Sequence, residues 1–340
     1  MRSPENIGWG FVGTGGIART VAAALDLAPG GRLVAVGSRD AARAHEFAAE
    51  HGAQAGYGGA DSGVAQLLAD PGVDAIYVAT THPQHHASAK AALLAGKPVL
   101  VEKPLTVTAA ATRDLAQTSR ARSVFLMEAY WTRFLPGTAA LLDVIGSGVI
   151  GEVLGVHADL GFPAQALARF HDPEIGGGSL LDLGPYPVGL ALTLLGAPQA
   201  VSAVGRLTAT GVDRQIAMAL GWDSGAVAAL STTMEAHASA RAWIEGTRGR
   251  IEIGRPFHAV PEFTVSLPDD EGGETVQRHD HAVSQGHRFM LEHVHACLAG
   301  GLSQSPVLPL QWSLDVADVF EAVLTQVGVT RNVERLSPEH

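Results

Sequence analysis

One cysteine, Cys297, is all that 340 residues contain, so the chain closes no disulfide within itself. Cys297 falls inside the helical run Phe289 to Leu298 and reads as a small core residue. No apolar stretch approaches the ~20 uninterrupted residues of a membrane-spanning helix. Positive charge is scarce: 23 Lys and Arg stand against 34 Asp and Glu, a formal charge of −11. That balance disfavours a nucleic-acid or anionic-membrane surface. Internal repeats and long low-complexity linkers are missing too. Residues 1–6 show no apolar core of a secretory signal before the first strand-like run, and the expected compartment is the cytoplasm. What remains is an ordinary globular composition, 46% apolar and 17% charged, long enough for two domains.

The apolar run Ile7 to Val12 leads directly into Gly13-Thr14-Gly15-Gly16-Ile17-Ala18, and helical periodicity continues to about Ala28. In this G-x-G-x-x-A pattern the first glycine permits a tight turn and the second lets a pyrophosphate approach the backbone. The small final residue lets helix pack on strand, and the helix N-terminus offers N–H groups to a phosphate. A second strand, Leu33 to Gly37, follows in order, as a dinucleotide-binding unit requires. That strand ends in Ser38-Arg39-Asp40. A hydroxyl and a guanidinium suit the 2′-phosphate of NADP. Asp40 leaves two alternatives: it turns inward and admits NAD, or it caps the helix near Ala41.

The alternation of strand and helix continues to Met127, with strands at Gln54–Tyr57, Asp74–Thr80, Val99–Val101 and Ser123–Met127. This predicts an α/β fold with a doubly wound parallel sheet. Thr80-Thr81-His82-Pro83-Gln84-His85-His86 leaves one strand end, and Glu102-Lys103-Pro104 leaves the next. Ligands bind at the carboxyl ends of such strands. His82 or His85 would touch the nicotinamide edge or substrate, or simply cap and solvate the turn. No carboxylate or cysteine shares the histidine spacing, so no metal is expected. Lys103, partly shielded from water, is a candidate to exchange protons near neutral pH.

Beyond Glu128 the pattern changes. A helix near Gly137–Ser147 precedes β-rich runs at Leu154–Leu160, Val201–Leu207, Gln215–Trp222, Ala226–Thr232, Ala240–Glu245 and Arg250–Ile253. Turn residues separate them, predicting a mostly antiparallel sheet, with helices near Gln285–Ala299 and Leu314–Val327 closing the chain. The expected division is 1–128 for the nucleotide domain and 129–340 for a substrate and oligomerisation domain. Gly176-Gly177-Gly178 opens a helix carrying Asp182 and Tyr186, four residues apart and on one face unless Pro185 distorts the turn. They form a local pair, or, with a lysine across a cleft, part of a proton-transfer site.

Taken together, Gly13-x-Gly15-Gly16-x-Ala18, Glu102-Lys103-Pro104, Asp182-x-x-x-Tyr186 and Gly286-His287-x-Phe289 resemble the Gfo/Idh/MocA oxidoreductase family over nearly the whole chain. Thr81-His82-Pro83-Gln84-His85 and Met127 to Pro136 look like its branch of dimeric dihydrodiol dehydrogenases and NADP-dependent D-xylose dehydrogenases. The resemblance implies a Rossmann domain followed by an α+β domain whose mostly antiparallel open sheet joins subunits into a homodimer or homotetramer. It implies NADP, with NAD as the alternative, held by Gly13, Thr14, Gly15, Gly16, Ile17, Ser38, Arg39, Thr80, His82, His85, Glu102 and Lys103. A cis Lys103–Pro104 bond is expected. Lys103 would be the acid/base, Tyr186 its partner or the proton donor, and Asp182 the group that orients them. Trp131 and Arg133 would join Asp182 and Tyr186 near the substrate, a sugar, polyol or cyclic diol. The expected reaction is hydride transfer to or from a secondary alcohol or hemiacetal carbon. A nucleotide-binding sensor without turnover, or a redox-assisted glycosidase, are the alternatives from other classes.

Overall fold

A computed structural model describes residues 6–60 and 62–330. The expectation about a leader rests on residues 1–5, which lie outside the described residues. The chain divides into two compact units. One holds the described residues up to Trp131 together with Gln285–Ser313; the other holds Thr132–Ser284 and the described residues from Leu314 onward.

The first unit carries strands β1 (Ile7–Val12), β2 (Gly31–Ser38), β3 (Ala55–Gly58), β4 (Ala75–Val78), β5 (Val99–Val101) and β6 (Leu126–Glu128). Helices α1 (Gly16–Leu25), α2 (Ala41–Glu50), α3 (Gly63–Ala69), α4 (His85–Leu94) and α5 (Ala109–Arg122) alternate with them. The strand order is β3-β2-β1-β4-β5-β6, and every pairing is parallel. Helices cover both faces of such a sheet, so β1, β4 and β5 are buried along their whole length and read as unbroken apolar runs. The order reverses between β1 and β4. Their carboxyl ends, with that of β5 beside them, release Gly13, Thr80 and Glu102-Lys103 at the edge where such sheets bind ligands.

In the second unit, α6 (Pro136–Gly146) precedes β7 (Val153–Gly161), and α7 (Ser179–Leu183) and α8 (Pro185–Leu195) follow it. Then come β8 (Ala200–Leu207), β9 (Asp213–Gly221), β10 (Val227–Thr233), β11 (Ala242–Gly246), β12 (Arg250–Ile253), β13 (Glu262–Pro268) and β14 (Glu274–Asp280). The sheet runs β14-β13-β12-β11-β7-β10-β9-β8, antiparallel throughout except for the parallel pair β7 and β10. Side chains alternate in and out along β9 and β10, with α7 and α8 packed against this sheet. Strands β13 and β14 were not expected. β14 is an edge strand of sequence Glu-Thr-Val-Gln-Arg-His-Asp, exposed nearly throughout, and so carries no apolar alternation to read.

Two helices close the chain, α9 (His287–Ala299) and α10 (Leu310–Val327). A single division at residue 128 does not describe them, because 285–313 returns to the first unit. The reason is local and polar. The indole Nε1 of Trp9 on β1 donates to His295 Nε2 on α9 at 2.9 Å, leaving His295 Nδ1–H to donate to the Pro29 carbonyl at 2.8 Å. One neutral imidazole thus pins α9 beside α1. Among the described residues no single helix is long and apolar enough to cross a membrane. The segments 173–183 and 185–195 meet that composition only as a pair bent by 48°, and their leucines Leu180, Leu181, Leu183 and Leu192 are buried in the fold.

Candidate functional site

Gly13 sits at φ +108°, and a Cβ there would meet the Ala79 carbonyl oxygen at 2.5 Å, so the turn out of β1 requires glycine. Gly15 and Gly16 differ. A Cβ on either would meet nothing within 4 Å, and the N-cap Gly15 offers no side-chain cap to α1. The first turn of α1 therefore carries neither a side-chain cap nor a neighbour that a Cβ would meet, which fits close approach of a phosphate. Thr14 is buried within the turn and Ile17 is half-buried. These residues fit the pyrophosphate of a dinucleotide.

At the end of β2, Asp40 takes up the capping position that was one of its two alternatives. Its Oδ1 accepts the Arg43 N–H at 3.2 Å and caps α2. The Ser38 hydroxyl oxygen accepts the Asp40 N–H at 3.3 Å, and the Arg39 side chain is exposed.

The strand ends of β4 and β5 meet through His85. This side chain is fully buried, with Nδ1 2.9 Å from the Pro104 carbonyl oxygen and Nε2 3.3 Å from that of Thr80. Burial, helped by His82 and by the Lys103 charge, pushes its pKa down to about 3, against the pull of the two carbonyls. His85 is therefore neutral and bound to backbone, beneath the ligand edge rather than on it. His82 lies half-buried in the preceding turn, its ring edge-on to His85 at 5.7 Å between centroids. The Lys103–Pro104 bond is cis, as expected. Glu102 is buried: its Oε1 accepts the Tyr77 hydroxyl at 2.6 Å and its Oε2 the Lys103 N–H at 3.2 Å. Lys103 itself is half-buried.

Two residues that sequence reasoning missed belong to this edge. His287 at the start of α9 stacks on Trp131 at 4.7 Å. Burial, followed by the Lys103 charge, takes its pKa down to about 4. Glu128, the last residue of β6, is buried, and burial pushes its carboxyl up to about 7. The Gly286-His287-x-Phe289 motif was the signal for the first. A strand ending in a carboxylate, Leu126-Met127-Glu128, was the signal for the second.

In the second unit, Asp182 and Tyr186 do not share one helix. Pro185 has no N–H to donate and starts a new helix, so Asp182 closes α7 while Tyr186 opens α8. Asp182 Oδ2 lies 3.1 Å from the Arg169 guanidinium. The Tyr186 ring packs on His258 at 4.5 Å, and the His258 carbonyl accepts the Thr132 hydroxyl at 2.8 Å, with half-buried Arg133 next in the chain. The glycine loop before α7 is anchored by Asp213 of β9, another residue the sequence did not single out. Its buried Oδ2 accepts the Leu180 N–H at 2.7 Å and the Ser179 hydroxyl at 2.8 Å. Gly178 stands at φ +114° against it, where any Cβ would meet Asp213 Oδ1 at 2.3 Å. Among the described residues no three His, Cys, Asp or Glu side chains gather as a metal site.

A parallel sheet of this order, with an uncapped glycine turn at its switch point, defines an NAD-binding α/β protein. Residues 7–130 match the oxidoreductase family with the NAD-binding Rossmann fold, and residues 138–252 match the GFO/IDH/MocA C-terminal domain. The chain belongs to the Gfo/Idh/MocA family. It is 36% identical over 328 residues to trans-1,2-dihydrobenzene-1,2-diol dehydrogenase of Mus musculus, spanning 95% of this chain and 97% of the mouse protein. The Homo sapiens enzyme of the same name is 35% identical with the same coverage. Among solved structures, the 3-ketoreductase KijD10 of Actinomadura kijaniata, in complex with NADP and TDP-benzene, superposes with a TM-score of 0.84 at 27% identity. That match covers 95% of this chain and 98% of KijD10. A levoglucosan dehydrogenase in complex with NADH and levoglucosan shares the fold, with a TM-score of 0.85 at 20% identity, over 95% and 98% of the two chains. The protein is an NAD(P)-dependent dehydrogenase or reductase.

Proposed function

We propose that the enzyme moves a hydride between NADP and a secondary alcohol or hemiacetal carbon of a sugar, polyol or cyclic diol, with Lys103 handling the hydroxyl proton. The observation that carries this reading is the setting of Lys103: half-buried, released directly from the buried β5, at the ligand-binding edge of the parallel sheet. The relatives named as dihydrodiol dehydrogenases support the cyclic diol among these substrates.

In this reading a bound nicotinamide supplies or accepts the hydride. Gly13, Thr14, Gly15, Gly16 and Ile17 hold the pyrophosphate, and Ser38 with Arg39 takes the 2′-phosphate. Thr80 and His82 border the nicotinamide end, and His85 and Glu102 brace the backbone around them. Lys103, as the free amine, removes the hydroxyl proton during oxidation; as the ammonium, it returns that proton during reduction. Tyr186 is the partner of Lys103 or the proton donor, Asp182 is the group that orients them, and Trp131 and Arg133 lie near the substrate. The exposed sheet residues Val204, Val227 and Trp243 support assembly of copies through the second unit. The unpaired Cys297 suits a reducing, cytoplasmic setting.

A panel of sugars, polyols and cyclic trans-diols, offered with NADP and separately with NAD at alkaline pH, tests the reading. NADPH formation from at least one member is expected. Tight NADP binding without turnover across the panel would contradict it.

A further inference from the structure

Glu128 has no part in holding the dinucleotide or the substrate, yet it is a carboxyl only 1% exposed at the end of β6. In the β5–β6 ladder it stands opposite Val101, two residues before Lys103. Ladder partners project from the same face of a sheet, so Glu128 and Val101 share one face, and Lys103 leaves β5 two residues beyond Val101. Tyr77, Leu100 and Glu102 fall on the other, and the Tyr77–Glu102 hydrogen bond joins two members of that second set. Glu102 is thus committed to Tyr77, while Glu128, opposite Val101, feels the charge of Lys103 two residues on.

Neither Glu128 oxygen closes a hydrogen bond of normal geometry. Ser313 and the Leu105 N–H lie near enough to draw its pKa down, as Lys103 does. Burial outweighs them, reinforced by the negative Glu102. A carboxyl so placed is costly as an anion, and it ionises where other carboxylates have long since done so. The charges it feels are those of Lys103 and, from the other face, Glu102, both just beyond β5, with Ser313 of α10 beside it. His85 of α4 and His287 of α9 face the lysine, and burial holds both neutral through the physiological range.

The geometry points to Glu128 as the residue that sets how tightly Lys103 holds its proton, through the charge it gains or loses beside the end of β5. While Glu128 is neutral, Lys103 gives up its proton more readily; once Glu128 ionises, the ammonium is held. Glu128 acts through the lysine and touches neither substrate nor cofactor. The inference rests on Lys103 being the acid/base group, so its test needs a readout that does not depend on turnover.

Glu128→Gln keeps the shape and removes the charge. In alcohol oxidation the acid limb of its pH profile of kcat/KM is expected to move down by about one pH unit, an opposite charge having been removed from beside the amine. The KM for NADP should stay within about twofold. An unmoved limb overturns the inference. Infrared difference titration from about pH 5 to about pH 9 reads the carboxyl carbonyl band without substrate. That band should be present in the wild type and absent in Glu128→Gln. In Lys103→Met its midpoint should rise by about the same one unit, because the coupling is reciprocal. An equal midpoint in the wild type and Lys103→Met overturns the inference, even if Glu128→Gln fails to fold. A raised midpoint in a fully active Lys103→Met would instead uphold the coupling and refute the lysine as the acid/base.

Discussion

His85 Nδ1 lies 2.9 Å from the carbonyl oxygen of Pro104, tying the first turn of α4 to the loop that carries Lys103. Its other ring nitrogen faces the Thr80 carbonyl at 3.3 Å, and both partners are acceptors. A neutral imidazole has one N–H to donate, and the shorter contact assigns it to Nδ1. One buried ring therefore braces the loops that leave β4 and β5. His85→Gln keeps a donor but not its reach. It should lower kcat about tenfold to a hundredfold while the NADP dissociation constant moves less than about threefold. An unchanged kcat in steady-state assays would count against the brace.

The buried ionisable groups give stability opposite slopes with pH. His85 and His287 are pushed down to about 3 and about 4, so below the usual imidazole value near 6.5 the unfolded chain takes up protons that the fold refuses. Their contribution is fully present above that value and is lost as pH falls through the folded ones. Urea titrations should show stability falling as pH drops below about 6.5, and the fall should be shallower in His85→Gln.

Glu128 works in the other direction. Its carboxyl is raised from 4.5 to about 7, so the stability it lends is complete below the unfolded value and is lost as pH rises through the folded one. Relative to the wild type, Glu128→Gln should therefore gain roughly 3 kcal/mol between about pH 4.5 and about pH 7.5. A difference that stays flat across that window would contradict the raised value.

Asp40 caps its own helix, and the proposed NADP preference rests on the exposed Arg39 beside it. Arg39→Ala should cut kcat/KM for NADP about tenfold to a hundredfold, the worth of a charge-assisted contact, and leave NAD nearly unaffected. Equal losses with both cofactors would refute the NADP preference.

Asp213 accepts both the Leu180 N–H and the Ser179 hydroxyl, holding the glycine loop before Asp182 and Tyr186. Asp213→Ala leaves the buried Leu180 N–H without an acceptor, while the Ser179 hydroxyl keeps the Thr232 hydroxyl at 2.9 Å, and should cost about 1–3 kcal/mol, read as a lower Tm. Asp213→Asn, which keeps one acceptor oxygen, should lose less. Equal melting temperatures for the three proteins would speak against the anchor.

The nucleotide half was legible because a parallel sheet buries both faces: Ile7–Val12 and Val99–Val101 are apolar throughout, and the glycines stand where turns demand them. Lys103 was legible for the same reason, as the charge that ends such a run. What stayed hidden depended on partners distant in the chain. Nothing near His295 announces that Trp9, 286 residues away, will hold α9 in the first unit. Nothing near Asp213 shows that it caps a loop more than thirty residues before it. β14 is a charged edge strand without periodicity, and the burial of Glu128 depends on what packs over the end of β6. Pro185 could be read either way from sequence; in the fold it breaks the helix and separates Asp182 from Tyr186.

Lys103→Met, which keeps the length of the side chain and removes the amine, tests the central claim most directly. With the best substrate from the alcohol and sugar panel, kcat should fall about a thousandfold, the loss expected when a positioned acid/base group is removed. The NADP dissociation constant should stay within about threefold of the wild type. Near-wild-type turnover in Lys103→Met would contradict the account.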